Sequence, residues 1–434
     1  MRTKLKEVNV MRRRNIRALA LSAVLLAFAP AALAGETPSL PGCVAQALSN
    51  HPSLTAAEGT VEANKARTSL AAVAARTKVN GTAGYTRSGV TKGAGSGGSN
   101  GDWSSGVSVS QTVYDWGKTS TAIKSAKLSE KASEETYKRT RENIIAAVRD
   151  AYYGLNRSVR DVAVQKEQVK NYQKRLEWAQ SYYSVGTKAK IEVTKAETDL
   201  ANARLSLIRA ESSAEQYKAQ LASAMGMPAL EIDSVKDELE FQPWNIGLNE
   251  ALERAAANRP DLSAQDLLVL KAKTDLKSAK LTNAPDLSAS GGYTFGGTTF
   301  DESERWNARL SLSIPIGDGG QKKARVAQSK ADLKVAEATR EKLAQDIVLE
   351  VRKSWQSLRE SAASIDAAKM AVKQARENLD LALGRYRAGV GDSLEISDAV
   401  DKYASAQTKL ISTLYDHQEA RLSLEKAMGE VSES

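Results

Sequence analysis

VRDAYYGL at residues 148–155 returns as VRKSWQSL at residues 351–358, and this duplication decides how the rest of the chain is read. Tyr183-x-x-Gly186 answers Tyr386-x-x-Gly389, Asp115-Trp116-Gly117 answers Asp318-Gly319-Gly320, and Ala224-Met225-Gly226 answers Ala427-Met428-Gly429, all at an offset of 203 residues. Further upstream, Asn50-His51-Pro52 matches Asn258-Arg259-Pro260 and Tyr85 matches Tyr293, both at 208. Trp103 and Trp306 are back at 203, so a net five-residue difference falls in the Gly-Ser stretch Gly89–Gly101, where an exposed loop can vary. Residues 35–227 and 248–434 thus read as two repeats, joined by residues 228–247, in which Phe241 and Trp244 are candidates to pack.

No proline occurs between Ser53 and Met227 or after Pro315, so each half can carry very long helices. From Lys118 to Tyr183 an apolar stripe steps by threes and fours through Ile144, Val148, Ala151, Leu155, Val159, Val162, Val169, Tyr172, Leu176, Ala179 and Tyr183. It recurs at Ile347, Val351, Leu358, Ile365, Val372, Ala375, Leu379, Ala382 and Tyr386, a seam that specifies coiled-coil packing. A helix of that extent is roughly 100 Å long. Strands interrupt the helices. Val107, Val109, Gln111 and Val113 alternate with Ser108, Ser110, Thr112 and Tyr114, and Leu310, Leu312, Ile314 and Ile316 alternate with Arg309, Ser311, Ser313 and Pro315. Val79–Tyr85 and Leu287–Phe295 alternate more weakly. Each half therefore reads helix, strand, loop, strand, long helix, turn, helix. Four strands are too few to close a barrel, and a sheet with one apolar face exposes edges, so several chains must share one barrel.

Residues 1–34 read as a secretory leader: Arg12–Arg14 form a basic start, Leu19–Phe28 an apolar run, and Ala32-Leu33-Ala34 a cleavage site before Gly35, with Met1 or Met11 as the start. The leader holds seven Arg or Lys against one Glu, most of the net charge of +9, which leaves the exported part near neutral and argues against a nucleic-acid partner. No later apolar stretch approaches bilayer length, so contact with a membrane has to be made by strands. Cys43 is the only cysteine, which excludes an internal disulfide and a cysteine-based metal cage. Leu40-Pro41-Gly42-Cys43 resembles a lipidation site, but cleavage at Ala34 comes first and Cys43 aligns with Ala251, so a buried thiol is expected. His51 and His417 are the only histidines, and neither sits in a metal-ligand spacing. No nucleophile elbow or phosphate loop occurs; the glycine-rich 93–98 lacks the following Lys-Ser/Thr and helix. Neither an enzyme nor a cofactor is expected.

The helix starts NHPSL and NRPDL, the strand-to-helix junctions VYDWGK and PIGDGGQK, and the paired hairpins YSVGTKAKIEV and YRAGVGDSLEI together resemble the TolC family of outer-membrane efflux proteins. The resemblance implies an α+β membrane fold. Four strands per chain contribute to a trimeric twelve-stranded β-barrel, continued into the periplasm by a long antiparallel coiled-coil tunnel, with residues 228–247 in its equatorial region. It also implies the function: a passive exit duct of a tripartite efflux pump or type I secretion system. Its partners would be a periplasmic adaptor (membrane fusion) protein, an inner-membrane pump of the RND, ABC or MFS type, and outer-membrane lipids. A non-conducting periplasmic coiled-coil scaffold is the competing reading.

By the same resemblance the hairpin tips Val185-Gly186-Thr187 and Ala388-Gly389-Val390 dock the adaptor, and the second hairpin closes the periplasmic aperture. There Tyr386, Glu395 and Asp398 match the family's tyrosine and acids, but its arginine position holds Gly391, which weakens the lock unless Arg385 or Arg387 substitutes. Glu395 and Asp398, three apart, share a helix face, and three-fold symmetry would multiply them into a ring of about six carboxylates favouring cations. The competing reading is that both acids simply suit a helix start.

Overall fold

In the computed structural model, which describes residues 38–89, 99–298 and 303–432, one proline breaks the helical part of each half, Pro52 in the first and Pro260 in the second. His51 precedes Pro52 and holds an extended backbone, so helix α1 (Leu40–Asn50) stops and α2 (Pro52–Val73) begins with proline at its first position. Arg259-Pro260 repeats the break between α5 (Leu248–Asn258) and α6 (Pro260–Lys280). His51 acts as a cap, its Nδ1 accepting from the Ser53 N–H at 3.1 Å. His417 is buried and its Nε2 lies 3.3 Å from the Gln242 carbonyl; burial lowers its basicity. Both histidines are thus structural. The leader, with its Ala34–Gly35 cleavage site, and most of the Gly89–Gly101 loop lie outside the described residues.

The long helices are α3 (Lys118–Ser184) and α7 (Gln321–Arg387), 67 residues each, followed by the return helices α4 (Lys190–Ala224) and α8 (Ser393–Met428). Identical caps start the long pair. Asp115 accepts from the N–H groups of Gly117 (3.0 Å) and Thr119 (2.6 Å), and Asp318 from those of Gly320 (3.0 Å) and Lys322 (2.8 Å). α3 packs against α1, α2, α4, α6 and α8, and α7 against α5, α6 and α8. Val148, Ala151, Tyr152 and Leu155 anchor one core with α1, the end of α4 and the connecting segment; Ile347, Val351 and Leu358 anchor a second with α5 and the end of α8. Cys43 is 1 % exposed in the first core, where burial, and then Glu238, push its thiol up to about 11, so it is an inert packing group.

The expected stripe needs one correction: Val159 and Tyr183 are exposed, and Ser158 and Val164 are buried instead of Val159 and Val162. A seam read at fixed spacing drifts around a 3.6-residue helix, and α3 contacts five different helices, so its buried side rotates along its length.

Strands β1 (Lys78–Gly89), β2 (Ser99–Tyr114), β3 (Asp286–Gly297) and β4 (Ser303–Ser313) form one antiparallel sheet in the order β1-β2-β3-β4. The register places Val79 opposite Val109, Tyr85 opposite Trp103, Val107 opposite Tyr293, Tyr293 opposite Trp306 and Leu287 opposite Leu312. One face is therefore aliphatic with aromatics toward its loop end, and the other carries Ser, Thr, Gly and a few charges. β2 starts earlier than its alternating core suggests, and β4 ends at Ser313, leaving Ile314 and Ile316 beyond the strand and exposed. β4 stops where pairing with β3 stops, at Asp286 opposite Ser313.

Replacing Asp115 with alanine should lower stability by about 1 kcal/mol, since it removes two capping bonds to the helix start. Burial opposes ionisation of Asp115, but hydrogen bonds from Thr119 and Gly117 and the charge of Lys118 outweigh it and hold the carboxyl below its ordinary value. The contribution of that cap is then complete above the unfolded value near ~3.9 and fades as pH falls through the lower folded value. Thermal unfolding of the parent and Asp115→Ala at pH 7 and at pH 3 checks this: the gap should be wide at pH 7 and narrow at pH 3.

Candidate functional site

The two long hairpins reverse by the same device. Gly186 and Gly389 sit at φ 76° and 78°, and each reversal closes with a six-residue backbone bond, Thr187 N–H to the Tyr182 carbonyl and Val390 N–H to the Arg385 carbonyl. No other atom lies near either glycine's outward side, and Val185 (70 % exposed), Val390 (71 %), Ile191 and Leu394 stand out as apolar crests. Ile191 and Leu394, each the second residue of its return helix, were not singled out from sequence, though their shared place in KIEV and SLEI carried the signal.

Behind the tips the hairpins are fastened to each other. Tyr386 is 1 % exposed and wedged between the rings of Trp178 and Tyr182, at centroid distances of 6.2 and 5.6 Å. It is thus a packing anchor within the chain and not an exposed lining group, and its hydroxyl has no hydrogen-bond partner among the described residues. Tyr172, Leu200, Ala203, Leu379, Ile396 and Val400 complete this third core. Polar bonds cross the same seam. Buried Arg175 of α3 bonds both Asp199 of α4 and Ser397 of α8, Ser393 donates to Glu192, and Asp401 accepts from Tyr172 (2.7 Å) and Gln168 (3.0 Å). Burial, then the Asp401 carboxylate, raises Tyr172 and keeps its phenol protonated.

Glu395 and Asp398 lie exposed on one side of α8, each held locally: Arg385 Nε is 3.3 Å from Glu395, and Lys402 Nζ is 2.7 Å from Asp398. Arg387 instead lies over the Trp178 ring at 5.0 Å. Gly391 is buried, and a Cβ there would come within 2.7 Å of the Tyr386 nitrogen, so this turn admits no side chain at that position. Arg385 is therefore the guanidinium that meets Glu395 within one chain, while Lys402 holds Asp398. Among the described residues no group of His, Cys, Asp or Glu could hold a metal ion.

The outer membrane efflux protein model matches residues 43–227 and 251–430. The chain belongs to the outer membrane efflux protein family. It is 25% identical to Outer membrane protein TolC of Escherichia coli over 353 residues, 76% of this chain and 70% of that protein. It is also 25% identical to the probable efflux pump outer membrane protein TtgC of Pseudomonas putida over 314 residues, 69% of this chain and 63% of that one. Among solved structures, CusC superposes with a TM-score of 0.81 at 17% identity, covering 90% of this chain and 92% of CusC. The outer-membrane channel OprN also gives 0.81, at 21% identity and 90% coverage of both chains. The expected mostly helical fold with four antiparallel strands per chain is that of these channels. This family member is accordingly an outer-membrane efflux channel protein, and its family is one of ducts, not enzymes.

Arg175→Ala should loosen α8 from the first hairpin at a cost of about 1–3 kcal/mol, because partly exposed Asp199 can regain water. Amide exchange over residues 393–403 should quicken while residues 347–365 stay protected. Arg175→Met, which keeps the bulk, should behave like alanine; protection restored by methionine would assign the link to packing alone.

Proposed function

We propose that three copies of this chain close one β-barrel in the outer membrane, extended by their helices into a periplasmic tunnel through which an inner-membrane pump and its adaptor expel cargo. The observation that carries the reading is the sheet. One face is aliphatic and aromatic, Trp306 being 77 % exposed, the opposite face is rich in Ser and Thr, and β1 and β4 each have a free edge among the described residues. Three symmetric copies remove the edges, turn the greasy face to lipid and leave the polar face around water. A non-conducting scaffold has no use for such a sheet. In this reading residues 35–227 and 248–434 are duplicated repeats and 228–247 the equatorial connector between them. Export energy comes from the pump, since the chain carries no nucleotide-binding motif.

The tips Val185-Gly186-Thr187 and Ala388-Gly389-Val390 are the adaptor contacts in this proposal, supported by their exposed valines and the uncrowded glycines. A Cβ at Gly186 or Gly389 would meet open space, so substituting both with leucine strains chiefly the left-handed turn. Export of a pump substrate from intact cells should be abolished while heat-modifiable trimers persist in the outer membrane. Unchanged export would remove the docking role.

At the aperture, Tyr386 anchors the second hairpin, Gly391 sets its turn, and Glu395 and Asp398 of three chains form the carboxylate ring, restrained by Arg385. The detergent-extracted protein should have a trimer's mass and form channels in planar bilayers. Glu395→Ala with Asp398→Ala should weaken cation selectivity and abolish block by divalent ions added at the periplasmic end. A monomeric mass would sink the barrel, and parent-like selectivity and block would sink the aperture assignment alone.

A further inference from the structure

The polar face of the sheet is uneven. In the central strands its side chains are short: Ser108 and Ser110 on β2, Ser288, Ser290 and Thr294 on β3, with Gly106 and Gly292 between them. The long charged groups stand on the outer strands. Lys78 of β1, Ser110, Ser290 and Arg309 of β4 occupy one row across the sheet, and Arg305 stands level with Thr294 and Gly106, four residues along β4 from Arg309. All three cations are exposed, and none has an ion-pair partner among the described residues. Two carboxylates share this face. Asp286 is neutralised by Lys118 at 2.8 Å, and Asp102 lies toward the loop end, opposite Thr86. The face is therefore net cationic, whereas the hairpin ends carry exposed Glu395 and Asp398.

We propose that Arg305 and Arg309, with Lys78, give the barrel lumen a cationic lining that favours anionic solutes. The proposal rests on the trimeric-barrel reading above, in which this face surrounds water. Rings of Arg and Lys side chains attract and pass anions by direct Coulomb attraction, more so where low-dielectric walls focus the field. The short serines and glycines around them leave the two arginines as the groups that reach furthest from the wall. Because the charges meet water, salt screens them, and the preference should weaken as ionic strength rises. The class of cargo it suits is a carboxylated or phosphorylated small molecule, or an acidic polypeptide segment. Basic residues on edge strands also discourage wrong strand pairing, a role that acts on assembly and has no bearing on permeation.

Ion permeability separates the two. Reversal potentials are measured in planar bilayers under a KCl gradient for the parent, Arg305→Ser with Arg309→Ser, and Arg305→Lys with Arg309→Lys. Each is measured with native Glu395 and Asp398 and again with both as alanine, so that carboxylates in series do not mask the barrel. The serine pair should lower the anion-to-cation permeability ratio at least twofold, most clearly in the alanine background, and the lysine pair should keep the parent ratio. Trimers that conduct with an unchanged ratio after the serine substitutions overturn the cationic lining and leave the barrel reading intact. Absence of any channel from the parent protein overturns the barrel reading and this proposal with it. Should the serine pair fail to insert, each single serine variant is measured, and an unmoved ratio in both has the same overturning force.

Discussion

Among the described residues β1 and β4 each find a hydrogen-bonded neighbour on one side only. In a strand of 11 or 12 residues, about every second residue turns its N–H and C=O outward, so the two edges together leave roughly two dozen polar groups. In hydrocarbon each costs several kcal/mol, a sum far above the 5–15 kcal/mol by which a typical domain is stable. The apolar face could not be left in water either, with Trp306, Leu310 and Val79 all standing out from it. A single chain thus offers this sheet no environment in which both its edges and its apolar face are satisfied.

After β2 and β4 the chain turns into a long helix within a few residues. Both junctions do so with an aspartate cap and a left-handed residue two positions before the helix. In the second junction that residue is Gly319, and in the first it is Trp116 at φ 52°. A non-glycine residue there costs about 1–2 kcal/mol, which the edge contact of its ring with Tyr114 at 4.8 Å helps to offset. Trp116 stays half exposed beside the last residue of β2, the position at which an amphipathic ring suits a membrane boundary.

Much of this was legible in the sequence because it depends on local signals. The long helices follow from missing prolines, their starts from Asp115 and Asp318, their ends from Gly186 and Gly389, and the central strands from period-two alternation. What was not legible depends on partners. Val159 looked like seam and is exposed, because the helix packed beside α3 changes along its length. The extra length of β2 comes from pairing with β1, which no pattern in Ser99–Gly106 announces. Tyr386 read as a gate residue from its motif, yet its burial between Trp178 and Tyr182 depends on how two distant hairpins meet. Gly391 read as a lost arginine, whereas the turn it occupies excludes any side chain. Arg385, six residues earlier, reaches Glu395 from the other helix of the same hairpin.

The two ends of the helical body are held by different chemistry. Near the strands and the connecting segment, α3 and α7 sit in cores of fully buried aliphatic and aromatic side chains, where removing one large group costs several kcal/mol. Toward the tips the attachment of α8 to α3 and α4 mixes small residues such as Ala203, Ala382 and Ala399 with hydrogen bonds to Asp199, Glu192 and Asp401. Such bonds to carboxylates contribute about 1.5–3 kcal/mol each net of water, and they can be remade in a shifted register, whereas interlocked aliphatic packing cannot slide without opening voids. Local opening is drawn from the weakest cooperative unit of a structure. At the tip end of α8, the segment that carries Glu395 and Asp398, the attachment rests on bonds to Asp199, Glu192 and Asp401 as well as on the packing of Ile396 and Val400.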